Sequence, residues 1–216
     1  MHVSKIVLEN LKKSIFEYDE TGIVGFTEEA LQEGIDPIEA INALVEAITK
    51  IGDKFNEGEL FLPELMLASK TMNNAMPILQ DEIIKRGLKR ESAGKIIIGT
   101  VYGDIHTIGI NMVSTLLTSS GFEVVNLGCN VTSDNFIDAV DKYKPDILAM
   151  SALLTTTAPQ QKKVIAALIS NGIRNKVKVM VGGGAITAEF AAEIGADGYE
   201  PTAPLAVKLA RILMEE

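Results

Sequence analysis

The spacing of hydrophobic residues changes near Arg90 and divides the chain into two parts. Before that point apolar residues recur three and four positions apart, which is the period of an amphipathic helix. This pattern predicts four helices. The third begins at Asp36-Pro37, with Asp36 as its cap, and the fourth opens at Pro63. Because only short connections separate them, residues 1–88 are predicted to form a small antiparallel four-helix bundle.

After the polar linker predicted at 89–95, short apolar runs alternate with helical patterns. The runs predict strands at 95–101, 123–127, 146–151, 177–182 and 197–199. The helical patterns lie at 109–120, 133–143, 159–171, 187–195 and 203–214. Because the runs are continuous, the strands fit a parallel sheet that is covered on both faces. Residues 89–216 are therefore predicted to form a Rossmann- or flavodoxin-like α/β domain with five parallel strands.

Composition narrows the class of protein. Of the 216 residues, 47% are hydrophobic and 23% are charged, as in soluble globular proteins. The net charge of −9 disfavours a nucleic-acid binder, which needs basic residues to neutralise phosphates. No signal peptide and no apolar run of about 20 residues is apparent, so a cytoplasmic protein without a membrane partner is expected. Cys129 is the one cysteine, and it is interpreted as a small buried apolar residue.

Three loops are expected to meet at one edge of the predicted sheet. Ligands of open α/β sheets bind beyond the carboxyl ends of the strands. The segments that follow the first, third and fourth predicted strands are 102–109, 151–157 and 182–187. Because small and polar residues are concentrated in these segments, the sequence predicts a ligand site at this edge.

His106 is the most informative residue of these loops. The chain has two histidines, which excludes a zinc or iron site built from several of them. A single histidine can still be the axial ligand of a metal that a macrocycle holds, and Asp104 is placed to fix its tautomer. Spacing alone leaves an alternative open, in which His106 caps the next helix or bonds to a neighbour. The glycines at 182–184 and the threonines at 155–157 also have ordinary uses, as a phosphate cradle and as helix caps.

Together these motifs resemble a known family. The segment Asp104-Ile105-His106-Thr107-Ile108-Gly109 is similar to the Asp-x-His-x-x-Gly signature of the cobalamin-binding region of methionine synthase. Over nearly its whole length the chain more closely resembles the corrinoid proteins of methylamine, methanol and methoxy-aromatic methyltransferase systems. The resemblance implies a cobalamin or related corrinoid as cofactor, with His106 as the lower axial ligand of cobalt. It also implies that Asp104, His106 and Thr157 form a catalytic hydrogen-bond relay.

The resemblance implies further cofactor-binding residues in both domains. Ser151 and Thr155 would line the pocket for the nucleotide tail, and Tyr199 would lie near the edge of the corrin. The helical domain at 1–88 would be a cap over the upper face of the corrin, where Phe55 and Leu62 would shield the methyl group. The other implied cofactor-binding positions are Thr107, Gly109, Leu153, Gly182, Gly183 and Gly184.

The function that the resemblance implies is methyl carriage by a non-enzymatic subunit. A substrate-specific corrinoid methyltransferase would place a methyl group on cobalt, and a second methyltransferase would pass it to a folate or thiol. A corrinoid reactivase is a further expected partner, and the linker near 88–94 is the expected hinge. Three alternatives remain: an adenosylcobalamin mutase domain, a cobalamin-dependent light or redox sensor, and a flavodoxin-like or receiver domain. The helical cap argues against the first, and the lack of tryptophan argues against the second.

Overall fold

The computed structural model describes residues 2–88 and 92–215, which form two compact units. The first unit lies within 2–88 and the second within 92–215. The predicted domain boundary at 88/89 adjoins residues 89–91, which lie outside the described residues, so this boundary and the predicted hinge stay predictions. Within the described ranges no helix has both the length and the apolar character needed to cross a membrane.

The first unit consists of the four predicted helices. Their bounds are α1 His2–Glu17, α2 Gly22–Gln32, α3 Pro37–Asn56 and α4 Leu62–Lys85. The Asp36 side chain caps α3 by accepting a hydrogen bond from the Ile38 amide, as predicted. The fourth helix begins one residue before Pro63 and continues through Pro77 to Lys85.

The core of the first unit is built from the apolar faces of these helices. Its largest fully buried side chains include Leu11, Ile15, Ile23, Ile41, Leu44, Leu65, Met72 and Leu79. Val3 and Ile6 are about half exposed. Fewer residues of α1 therefore face the core than the spacing of its apolar residues predicts. Burial of the remaining apolar faces is what stabilises the four helices as one unit.

The second unit is an open α/β sheet. Its strands are β1 Lys95–Thr100, β2 Glu123–Asn126, β3 Ile147–Ser151, β4 Lys178–Gly182 and β5 Gly198–Tyr199. Its helices are α5 Ile108–Ser119, α6 Ser133–Tyr143, α7 Pro159–Ser170, α8 Ala188–Ile194 and α9 Ala203–Glu215. All strand pairs are parallel, and the order across the sheet is β2-β1-β3-β4-β5. The predicted fold class, with five parallel strands, is confirmed.

Helices cover both faces of this sheet. Successive side chains of a strand point to opposite faces. Ile97 therefore packs with residues of α6, α7 and α8, whereas Ile96 and Ile98 pack with residues of α5 and α9. The strand order places β1 next to β3, with Thr100 in register with Ser151. This pairing brings the loops after β1 and β3 together at the carboxyl edge.

Candidate functional site

A buried carboxylate lies at the centre of the carboxyl edge. Asp104, in the loop between β1 and α5, is fully buried and accepts four hydrogen bonds. Its Oδ1 accepts from the His106 amide at 3.1 Å and from His106 Nδ1 at 2.7 Å. Its Oδ2 accepts from the Leu153 amide at 2.8 Å and from the Thr157 hydroxyl at 2.7 Å. Asp104 thereby joins its own loop to the loop that follows β3.

The four donors decide the charge of this carboxylate. Burial by itself raises the pKa of Asp104, because a charge is poorly solvated in the interior. The hydrogen bonds from Thr157, from the amide and ring of His106, and from the Leu153 amide outweigh burial and hold the pKa well below its ordinary value. Asp104 is therefore an anion at neutral pH, and an anion only accepts hydrogen bonds.

The charge of Asp104 fixes the tautomer of His106. Because the carboxylate cannot donate, the proton of the 2.7 Å contact belongs to His106 Nδ1. The Nε2 atom of the neutral ring then carries a lone pair. The imidazole is 46% exposed, while its partner carboxylate is fully buried. A fixed tautomer on a partly exposed ring is the arrangement that a metal-binding histidine requires.

The surface beside the imidazole is apolar. Large side chains in the loops after β1 and β3 and at the start of α5 are between 43% and 73% exposed: Tyr102, Ile105, Ile108, Leu153 and Leu154. Apolar side chains concentrated in joined loops are typical of a surface that a ligand or partner covers. The surroundings of His106 thus fit a large ligand with apolar faces.

The third predicted loop, after β4, approaches the end of β3 through glycines. The backbone of Gly183 has φ +114°, and a Cβ atom on it would overlap the Ala152 backbone. A Cβ on Gly184 would lie 2.9 Å from Leu153 Cδ1. Gly183 therefore needs glycine, for backbone conformation and for close approach, whereas a Cβ on Gly184 would require only a shift of the flexible Leu153 side chain. The structure brings the three predicted loops together.

Other predicted residues lie around this group. Gly109 stands on the first turn of α5, where a Cβ would meet nothing within 4 Å. Thr107 is the N-cap residue of α5 but makes no side-chain cap bond. Thr155 is exposed, and Ser151 and Gly182 are paired, partly buried strand ends.

Three predicted residues belong to β5 or to the first unit. Tyr199 ends β5 and packs against the core of the second unit. Phe55 and Leu62 belong to the first unit, at the end of α3 and the start of α4, and are partly buried and exposed respectively. Their predicted place over the methyl group stays a prediction.

Two of the sequence interpretations differ from the structure. Cys129 is exposed rather than buried, because it lies in the turn after β2 and not in the strand. The alternative in which the threonines at 155–157 cap α7 does not hold for Thr157. The N-cap residue of α7 is Ala158, without a side-chain bond, and the Thr157 hydroxyl lies against Asp104 and the Leu154 carbonyl.

Two residues that no sequence motif indicated hold the His106 loop. The hydroxyl of Thr100, fully buried at the end of β1, donates to the His106 carbonyl at 3.1 Å. Asn130, in the turn after β2, accepts a hydrogen bond from the Gly103 amide at 2.8 Å. The segment Gly128-Cys129-Asn130 weakly indicated a turn at this place, because Gly and Asn are typical of turns with left-handed backbone conformation.

Comparison with known proteins agrees with this geometry. Two family models, each described as a B12 binding domain, match residues 94–208 and 7–80. The chain is similar to a corrinoid protein of Desulfitobacterium hafniense, with 39% identity over 96% of this chain and 97% of that protein. It is also similar to a trimethylamine corrinoid protein of Methanosarcina acetivorans, with 38% identity over 96% and 97% of the two chains.

A solved structure extends the likeness to three dimensions. The crystal structure of the methanol:cobalamin methyltransferase complex MtaBC from Methanosarcina barkeri matches with a TM-score of 0.82 and 32% identity. The match covers 97% of this chain and 80% of that one. The fold and the matched domains define a B12-binding protein. The chain belongs to the corrinoid proteins of methyltransferase systems, and its cofactor is a cobalamin or related corrinoid.

Proposed function

We propose that this chain is a methyl-carrier subunit in which His106 is the lower axial ligand of the corrinoid cobalt. The observation that carries the proposal is the half-exposed imidazole, whose Nδ1–H is held at 2.7 Å by a buried carboxylate. Because Nδ1 carries the proton, Nε2 would be the coordinating atom. The apolar side chains beside the ring and the close glycine loop after β4 fit a bulky macrocycle with a tail.

Each member of the relay has a separate task. When bound, the corrinoid supplies a cobalt that accepts a methyl group and gives it up again. Asp104 keeps the proton on Nδ1 of His106 and orients the ring. Thr157 and the Leu153 amide hold the carboxylate from the opposite side, so that it cannot turn away from the ring. The chain Thr157–Asp104–His106 is therefore a continuous path along which a proton can be held or shifted.

The remaining predicted residues are assigned by extension. Ser151, Thr155 and the loop at 182–184 would line the slot for the nucleotide tail, because they lie at the ends of β3 and β4. Gly109 would leave open space for that tail beside α5. Phe55 and Leu62 would exclude water from the methyl group, as apolar shields do for reactive bonds.

The proposed partners follow from the family of this chain. A substrate-specific corrinoid methyltransferase would load the methyl group, and a second methyltransferase would transfer it to a folate or thiol. A corrinoid reactivase would restore protein that has been oxidised. The name of the methanol:cobalamin methyltransferase complex, whose crystal structure matches this chain, supports a partner of the first kind.

The ultraviolet–visible spectrum after reconstitution with hydroxocobalamin tests the role of His106. Wild-type protein, freed of excess cofactor, is expected to retain stoichiometric corrinoid with a histidine-ligated spectrum. His106→Ala should retain less and lose the features of histidine ligation, while the matched Thr156→Val variant, exposed and beside the relay, should behave as wild type. An identical spectrum in wild type and His106→Ala would refute the assignment.

A further inference from the structure

The loop that carries His106 is held by a second segment of chain, the turn after β2. In that turn the Asn130 side chain accepts a hydrogen bond from the Gly103 amide at 2.8 Å. The Asn130 amide donates to the Asp104 carbonyl at 2.9 Å. One residue thus makes two hydrogen bonds to the backbone just before His106, and the bond to Gly103 spans 27 residues of sequence.

The turn itself is fixed to the sheet. The Thr100 amide donates to the Gly128 carbonyl at 2.9 Å, and the Val131 amide donates to the Thr100 carbonyl at 2.9 Å. Val101 and Val131 form an isolated parallel bridge at the same place. The residues on either side of Asn130 are therefore anchored to the end of β1, and Asn130 projects from a rigid support.

The conformation of Asn130 explains its residue type. Its φ is +56°, in the left-handed region, which asparagine tolerates better than most residues. Its partner Gly103 has φ +81° and is exposed, so the Gly103 backbone has wide conformational freedom. The hydrogen bond from Gly103 to Asn130 removes part of that freedom immediately ahead of the Asp104–His106 pair.

We propose that Asn130 is a positioning residue for the axial ligand, which fixes the 102–106 loop so that His106 Nε2 points to one place. The relay of Asp104 and Thr157 orients the ring within the loop, whereas Asn130 holds the loop itself. This inference rests on the proposed role of His106 as cobalt ligand. It assigns to the turn after β2 a part in ligation that the Asp-x-His-x-x-Gly motif does not contain.

Two substitutions separate the side chain of Asn130 from its backbone. Asn130→Gly keeps the freedom to adopt positive φ and removes the acceptor for Gly103. Asn130→Asp keeps both tolerance of positive φ and an acceptor oxygen. Asn135→Ala is the matched control, because Asn135 is also exposed, five residues further on in the first turn of α6. Asn130 is exposed, so all three variants should keep the wild-type thermal midpoint within a few degrees.

Two measurements read the position of the loop. The first is hydrogen exchange of the Gly103 amide in corrinoid-free protein, by nuclear magnetic resonance. The second is the affinity for hydroxocobalamin together with the histidine-ligated fraction in its spectrum. The loss of one neutral hydrogen bond should make exchange about five-fold faster and binding about five-fold weaker in Asn130→Gly. Asn130→Asp and Asn135→Ala should stay close to wild type in both.

The outcomes distinguish this inference from the proposed function. Wild-type exchange and ligation in Asn130→Gly would overturn the positioning role while leaving His106 as ligand. Equal losses in Asn130→Asp and Asn130→Gly would also overturn it, because the acceptor oxygen would then be irrelevant. Failure of the wild-type protein to retain hydroxocobalamin would instead overturn the ligand role of His106, and this inference with it.

Discussion

Replacing Thr157 by valine isolates one hydrogen bond of the relay. Threonine and valine have nearly the same shape, so Thr157→Val removes the hydroxyl without opening a cavity. The buried Oδ2 of Asp104 then loses its 2.7 Å donor and keeps only the Leu153 amide. A hydrogen bond to an ionised group contributes about 1.5–3 kcal/mol. The free energy of unfolding of the second unit should therefore fall by about 2 kcal/mol at pH 7.

Urea denaturation followed by tyrosine fluorescence measures this loss. Three of the four tyrosines, Tyr102, Tyr143 and Tyr199, lie in the second unit, so the signal reports mainly on it. Thr156→Val is the control, because Thr156 is exposed and precedes Thr157 directly; its effect should stay within about 0.5 kcal/mol. A Thr157→Val loss as small as that of the control would refute the reasoning that Thr157 stabilises the Asp104 anion.

The pH dependence provides an internal check. Asp104 has a depressed pKa in the folded protein, so its stabilisation is complete above the unfolded value of about 3.9 and is lost as pH falls towards the folded pKa. Thr157→Val removes a hydrogen bond that stabilises the ionised form of Asp104 and not its protonated form. The difference between variant and wild type should therefore be constant from about pH 5.5 to 8 and should narrow below about pH 4. A difference that widens in acid would contradict this origin.

Three further predictions concern two glycines of the site and the two ion pairs that Glu46 makes in the first unit. Gly183→Ala should destabilise the second unit by more than about 2 kcal/mol, because alanine disfavours φ +114° and its Cβ would overlap Ala152. The Cβ of Gly109→Ala would meet open space, so this variant should leave the free energy of unfolding in urea unchanged or slightly higher. If Gly109 borders the proposed site of the nucleotide tail, the same variant should nonetheless weaken hydroxocobalamin binding. Glu46, bonded to Lys12 at 2.6 Å and Lys50 at 2.7 Å, has its pKa lowered to about 2, so Glu46→Gln should lower the thermal midpoint slightly at pH 7. That difference should shrink in high salt and disappear as pH falls through about 2, and persistence in acid would show that the ion pairs are not its source.

Sequence periodicity determined the elements of this protein. Burial on one stripe of a helix, or on both faces of a covered strand, imposes a local repeat that a single sequence displays. That is why the four helices of the first unit and the five strands of the second were predictable. The Asp104-Ile105-His106 segment was equally visible, because the proposed ligand His106 and its hydrogen-bond partner Asp104 lie two residues apart in one loop.

Tertiary structure alone decided which distant groups meet at His106. The order β2-β1-β3-β4-β5 places β3 beside β1, which brings Thr157 and the Leu153 amide to a carboxylate about 50 residues earlier in the chain. Family resemblance suggested Thr157 for this place, but no local pattern encodes strand order or backbone donors. The same holds for Asn130, whose two bonds depend on β2 pairing with the other side of β1. Short-range repeats in the sequence indicate which residues are buried. The charge of Asp104 and the orientation of His106 depend instead on contacts between distant residues, which only the folded chain brings together.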